Sequence, residues 1–259
     1  MIEKLVNIQK NKQLAKLLNL LYPEHCIVCK RIGSWICSDC IQKTNSFSQL
    51  CFYCKEGSLG GRTHKQCLHK TAVSKLVSFY DYNDVSKKLL AELKFKHHYI
   101  LSETILNMIK KRVNLFNIKK DSVISAIPLH PERERWRGYN QAELLARQIN
   151  KILGITYIDI IKRSINTKPQ SGMKFGDRKN NMKGAFNIIN QPNPQIYKAS
   201  ELIMFDDVIT SGSTMEEATQ TVKKTFPKLS ITAMCFAVAR NQKNRSTTCR
   251  TTNQKNSKS

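Results

Sequence analysis

The sequence predicts an α/β fold, a mostly parallel sheet with helices on both faces, preceded by a small module of cysteine knuckles. Three observations lead there. From residue 73 onward short apolar runs alternate with amphipathic segments, the pattern of strands joined by crossover helices. Residues 202–205, Leu-Ile-Met-Phe, form an unbroken apolar run, as in a strand covered on both faces. Cysteines crowd the segment before that alternation begins, with seven of the nine between Cys26 and Cys67. A chain of 259 residues, 41% of them hydrophobic, can bury one such domain plus a small module.

The elements follow in order. Residues 1–22 interleave Lys and Gln with Ile, Leu and Val and read as an N-terminal helix. Its apolar side is either a core face or a membrane-surface face. It lacks the unbroken apolar core and small-residue cleavage site of a signal peptide. Residues 23–72 hold the knuckles and 73–240 the α/β domain. Within the domain, strands are expected at 73–82, 122–128, 155–161, 185–189, 202–205 and 231–239. Helices are expected at 84–96, capped by Asn83 or Asp84, and at 101–113, 140–153 (stopped by Gly154) and 215–226. Residues 128–137 read as a loop, and residues 163–181 as a long polar stretch with little periodicity. Residues 241–259 carry five basic residues, no acids and no apolar face, and read as a disordered tail.

The knuckles run Cys26-x2-Cys29, Cys37-x2-Cys40, Cys51-x2-Cys54 and His64-x2-Cys67. Each pair puts two ligands on one tight turn, and two turns complete a tetrahedral zinc site, so one or two zinc ions are expected. A disulfide framework is the rival reading and needs an oxidising compartment, for which the chain shows no secretion signal. His69 competes with His64, and the spacing leaves open which knuckles pair. Cys235, in an apolar strand, reads as a small buried hydrophobe, and Cys249 as unligated.

Lys and Arg number 43 against 19 Asp and Glu, a formal charge of +24. Such a surplus suits polyanions, chiefly nucleic acid, unless it only reflects a basic proteome. No run reaches the roughly 18 apolar residues of a membrane span.

The chemistry concentrates at 201–214. A strand delivers Asp206 and Asp207, and Thr210, Ser211, Gly212, Ser213 and Thr214 then turn into a helix. Carboxylates accept from the adjacent hydroxyls of a ribose, while a small-residue turn at a helix N-terminus aims N–H groups at a phosphate. One loop can therefore hold a ribose 5-phosphate in one orientation. The bland alternative is a capped turn with two surface acids. Upstream, Arg133, Arg135 and Arg137 can fork onto a diphosphate or pair locally with Glu132 and Glu134. Trp136 and Tyr139 can stack on bases or anchor the core.

The 202–214 segment resembles the phosphoribosyl diphosphate (PRPP) loop of type I phosphoribosyltransferases. Residues 125–146 resemble the Pro-x-x-x-x-Arg…Arg-Gly-Phe-Asn-Gln-x-x-x-Leu-Ala block of the ComF/GntX-like competence proteins, with Tyr139 in place of the usual Phe. The Leu-Leu-Tyr-Pro before Cys26, the Leu93-Lys-Phe-Lys96 after the knuckles and Gly184-Ala-Phe186 fit the same family. The likeness spans roughly residues 17–240. It implies a zinc module fused to a type I phosphoribosyltransferase-like domain. It also implies PRPP with magnesium as ligand, a diphosphate loop at Arg133, Arg135 and Arg137, and a flap bearing Lys168, Lys174 and Arg178. Familiar members help incoming single-stranded DNA cross the inner membrane beside a DNA-translocating ATPase. The resemblance therefore implies a cytoplasmic protein at or near the inner face of that membrane.

The fourth knuckle departs from the family, which usually has a second cysteine where this chain has His64. Thr210 stands where some purine-salvage members carry an aspartate base, and no residue is an obvious reader of a nucleobase. Catalysis and its acceptor are thus left open by the sequence, as is oligomeric state. Besides a competence protein that binds PRPP and single-stranded DNA, the sequence admits a salvage nucleobase phosphoribosyltransferase or a zinc scaffold with a vestigial PRPP site.

Overall fold

The structure, a computed structural model, describes residues 23–44, 49–95, 100–165 and 182–240. The expected N-terminal helix and basic tail, and Lys168, Lys174 and Arg178 of the expected flap, lie outside the described residues.

Five strands form one parallel sheet: β1 (Lys75–Asp81), β2 (Val123–Ala126), β3 (Thr156–Tyr157), β6 (Glu201–Ile209) and β7 (Ser230–Val238), in the order β1-β7-β6-β2-β3. Helices α2 (Asp84–Phe95), α3 (Ile100–Val113) and α5 (Gln141–Leu153) pack on one face. There Leu89, Leu93, Ile105, Leu145 and Ile149 meet Phe79, Ile203 and Phe205. Helix α6 (Ser213–Thr225) covers the other face, where Met215, Ala218 and Val222 meet Leu202, Met204 and Ala233. The central strands are apolar on both sides because both are covered, as the unbroken run in β6 implies.

Several expected elements differ in detail. The single strand expected at 155–161 is two. Thr156 and Tyr157 pair with Val123 and Ile124, and Ile158 N–H still donates to Ile124 O at 2.9 Å. The chain then departs from β2, which runs on to Ala126 beside β6, and re-pairs as β4 (Ile161–Arg163) antiparallel to β5 (Phe186–Ile188). The expected loop at 128–137 contains a helix, α4 (Pro131–Arg137). Pro131 occupies its first turn, where a missing N–H costs nothing, and His130 Nδ1 accepts from the Glu132 N–H. Strand β6 runs on to Ile209 because β7 pairs with it as far as Val238.

The two knuckle segments flank this sheet as near-copies of each other. Lys30 N–H donates to Cys26 O and Lys55 N–H to Cys51 O, at 2.8 and 3.0 Å, and each lysine has positive φ. In the first segment Cys40 sits on a short helix, α1 (Ser38–Gln42), and Cys26, Ile36 and Cys40 join the α2–α3 side of the core. Asn83 ties this lobe to the domain: its Oδ1 caps α2 at Val85 and Ser86, and its Nδ2 donates to Lys43 O. The second lobe is fastened to β1. Thr63 N–H donates to Ser74 O, and Thr63 Oγ1 to Val73 O at 2.6 Å.

At Gly61 the approach is closer still. A Cβ there would lie 2.1 Å from the Leu76 carbonyl oxygen, whereas at Gly60, with a similar φ of +65° against +71°, it would meet nothing. Both substitutions to alanine therefore share the left-handed strain, and Gly61→Ala adds a collision with backbone. Gly61→Ala should cost about 1–3 kcal/mol more than Gly60→Ala, by the scale of overpacking, in urea unfolding at fixed metal concentration. Equal midpoints for the two variants would contradict this packing.

Candidate functional site

The cleft originates in how β2 and β6 part. They are paired from Val123↔Leu202 to Ala126↔Phe205, and Ile127 N–H still donates to Phe205 O. The chain after β2 then turns at Pro128 toward α4 and α5 on one face, while the chain after β6 turns to α6 on the other. Connections that diverge this way open a crevice at the carboxyl ends of the strands. Here it has a volume of about 430 Å³.

Asp206 and Asp207 line it from β6. Successive residues of a strand leave opposite faces, so the neighbouring acids have different surroundings. Asp207 is buried on the α2 side and pairs with Lys94 of that helix at 2.6 Å. Burial disfavours the Lys94 charge, but Asp207 outweighs this and raises the Lys94 pKa. Asp206 accepts from the Asp207 N–H at 2.8 Å, and its carboxyl is pushed well above the usual range by burial first and by the Asp207 charge second.

Opposite the acids stand guanidinium groups. Arg133 and Arg137, one helical turn apart on α4, both line the cleft, and Arg137 donates to Gln141 Oε1 at 2.7 Å. Arg163, at the end of β4, is buried and packs over the Phe186 ring. Burial lowers Arg133 and Arg137, and burial together with the Arg133 charge holds Arg163 down to about 10. All these shifts have the sign of a site that would gain from an anion.

The turn after β6 closes the cleft. Thr210, Ser211, Gly212 and Thr214 line it, and the Ser213 hydroxyl, just outside the lining, bonds that of Ser211 at 2.9 Å. Gly212, at φ +81°, starts α6 with no side-chain cap.

Of the expected diphosphate residues, then, Arg133 and Arg137 reach the cleft. Arg135 falls on the other side of α4, exposed beside Trp136, which is itself 68% exposed. Tyr139 takes the anchoring role: its hydroxyl donates to Leu93 O, just before Lys94. Asn140 caps α5 through Ala142 N–H and donates to Ile127 O. Lys94 and Arg163 also line the cleft, although the sequence places Arg163 only at the start of the expected flap loop, 163–181, and gives Lys94 no role. Lys94 stood inside the Leu93-to-Lys96 motif, and Arg163 opened the polar stretch, but neither had a local signal naming its partner.

The knuckles gather into two groups in chain order, Cys26, Cys29, Cys37 and Cys40, then Cys51, Cys54, His64 and Cys67, with the ligand atoms of each within 4.8 Å of one another. Both groups could hold a metal ion. Zinc–sulfur bonds of about 2.3 Å in a tetrahedron separate ligands by roughly 3.8 Å. Cys29 and Cys37 Sγ are 3.6 Å apart, and Cys54 Sγ is 3.3 Å from His64 Nδ1. His64 Nε2 lies 3.1 Å from Gly57 O, so its N–H points there and leaves Nδ1 for a metal. Against burial, which raises it, the backbone N–H groups of Cys29, Cys37 and Val28 bring the Cys26 thiol down to about 6. Cys235 is fully buried, and burial pushes it up to about 12. Among the described residues no helix is long and apolar enough to cross a membrane.

No protein-family model matches the chain. It is similar to competence protein F of Haemophilus influenzae, with 30% identity over 210 residues, 77% of this chain and 90% of that protein. It is also similar to the DNA utilization protein YhgH of Escherichia coli K12, with 27% identity over 214 residues, 78% of this chain and 91% of that one. Among solved structures, the xanthine-guanine-hypoxanthine phosphoribosyltransferase of Helicobacter pylori overlays 56% of this chain and 85% of its own at 10% identity, with a TM-score of 0.32. That overlay is too loose to carry weight.

The raised Asp206 carboxyl makes a pH prediction. A group that holds its proton more tightly folded than unfolded stabilises the fold fully below its unfolded value, here 3.8. That contribution is lost as pH rises from there through the raised folded value. Toward neutral pH, Asp206 therefore costs the fold stability that it contributes in acid. Asp206→Asn, which keeps the Oδ1 acceptor, should melt higher than the native chain at pH 7, and the gap should close as pH falls toward 4. A gap independent of pH would contradict the assignment.

Proposed function

The chain belongs to the competence protein F (ComF) family, and from that premise we propose that it is a DNA-uptake protein whose cleft binds magnesium–PRPP. The observation carrying this reading is the convergence of Lys94, Arg133, Arg137 and Arg163 on one cleft with Asp206, Asp207 and the 210–214 turn. Each part of PRPP has a chemical counterpart there. The turn and the N-terminus of α6 suit the 5-phosphate. Asp206 suits the ribose hydroxyls. Arg133 and Arg137 suit the diphosphate, and a magnesium ion held beside Asp206 would further neutralise its charge. Zinc fits both ligand groups by donor type and spacing.

In the same reading the protein works on the cytoplasmic side of the membrane and binds single-stranded DNA beside a DNA-translocating ATPase. The +24 formal charge supports electrostatic contact with a polyanion, and the DNA-related names of the relatives support its biological setting. PRPP then acts as a bound effector rather than as a donor to a nucleobase. The two amides lining the cleft favour this, because Asn140 and Gln141 are already bonded to Ile127 O, Ala142 N–H, Arg137 and Tyr139 O.

Calorimetry with magnesium–PRPP should give saturable binding. Arg137→Ala should weaken it at least about tenfold, the scale of a lost charge-assisted hydrogen bond. The double variant Asp206→Ala, Asp207→Ala should bind far more weakly still. Flat titrations of the native chain would remove PRPP from the reading, and diphosphate release with one defined base would convert it to a transferase.

Binding of a single-stranded oligonucleotide should fall log-linearly with salt, by anisotropy. No binding near physiological ionic strength would remove DNA as a direct partner.

A further inference from the structure

The second ligand lobe reaches into the 210–214 turn by two separate routes. Phe52 lies between the two ligands of the Cys51-x2-Cys54 knuckle and is buried. Its ring packs against Gly212: a Cβ on that glycine would lie 3.2 Å from Phe52 Cζ and 3.8 Å from Ile209. Phe52 shares an apolar cluster with Ile209 and Met215, which bracket the turn. The ring also carries Lys55, whose Nζ stands 4.6 Å from its centroid. The second route starts at Thr71, which directly follows the 3₁₀ turn bearing Cys67 (Lys65–Lys70). Its Oγ1 donates to Glu216 Oε2 at 2.6 Å, in the first turn of α6. Glu216 is steadied in turn by Gln220 at 2.8 Å.

The turn depends on such outside support. Helix α6 begins at a left-handed glycine without a side-chain cap, and although Ser211 Oγ accepts from the Ser213 N–H at 3.3 Å, the glycine itself has no side chain to anchor the turn against what lies behind it. Within the lobe itself Cys51, Cys54 and Cys67 cluster with Tyr53 beside them, while its other buried apolar side chains, Leu50 and Phe52, pack into the domain. A cysteine cluster of that composition keeps its shape through ligation.

We propose that Phe52 and Thr71 are positioning residues for the sugar-phosphate turn, and that the Cys51, Cys54, His64 and Cys67 group sets the turn's geometry through them. The proposal rests on the reading of this turn as the PRPP site. Metal occupancy of the lobe and ligand binding in the cleft are then coupled, and by linkage each strengthens the other.

The test uses the full zinc-loaded chain and the variants Phe52→Ala, Phe52→Leu and Thr71→Val. Hydrogen exchange of the 210–216 amides is followed without ligand, together with zinc content and the dissociation constant for magnesium–PRPP. Phe52→Ala and Thr71→Val should each speed exchange at 210–216 about tenfold and weaken PRPP to a similar degree, within the range of coupling through packed networks. Zinc content and exchange in β7 should stay native. Phe52→Leu, which refills much of the space, should recover most of the loss. Native exchange at 210–216 in Thr71→Val overturns the proposal, and so does native exchange in a Phe52→Ala chain that keeps its zinc. Should Phe52→Ala shed zinc, Thr71→Val decides alone, since it touches no ligand. Should the native chain fail to bind PRPP, the functional reading falls, while ligand-free exchange still decides the coupling.

Discussion

Beyond Phe205, strand β6 has a neighbour on one side only. Strand β7 continues beside it to Val238, whereas β2 has already turned away at Pro128. The cleft and its chemistry depend on that missing neighbour. A polar residue at Asp206 or Asp207 inside a fully paired central strand would be sealed between two covered faces. Here the same positions open onto a crevice, and groups from four separate stretches of chain converge on them.

The cleft collects charge at a cost in stability. Lys94 and Asp207 compensate each other at 2.6 Å, a buried pair in which either partner alone would be destabilising. Arg133, Arg137 and Arg163 are held below their ordinary values, chiefly by burial, with the Arg133 charge adding to the effect at Arg137 and Arg163. Asp206 errs in the other direction, holding its proton too tightly. A polyphosphate with a divalent cation would relieve both strains at once, giving the cations an anion and Asp206 a positive neighbour. Sites shaped this way commonly trade stability for readiness to bind.

Much of this was legible in the sequence where the signal was local. The apolar run of β6, the Asn83 cap of α2 and the Gly154 stop of α5 each rest on neighbouring residues, and each was read correctly to within a few positions. Helix α4 escaped because Glu and Arg alternate along it and it buries nothing, so it shows no apolar period. The break between β3 and β4 escaped because Ile155 to Ile161 is apolar almost throughout, and what divides it is a change of partner, from β2 to the distant β5. The pairing of knuckles escaped because all four have the same internal spacing. Lys94 escaped for the plainest reason: its partner Asp207 is distant in the chain, and only the close of the sheet brings them together.

That late closure has a bearing on how the protein is made. Strand β1 is the first of the sheet to leave the ribosome, yet its partner β7 is the last: Ser74 finds Ile231 across a separation of 157 residues. An apolar strand waiting that long is exposed to mispairing. The segment synthesised just before it already supplies a provisional companion, through the Arg62↔Lys75 bridge and the seat of Gly61 on Leu76. A metal-folded lobe needs no distant sequence to form. It can therefore shelter the nascent edge until translation delivers the strand that completes it.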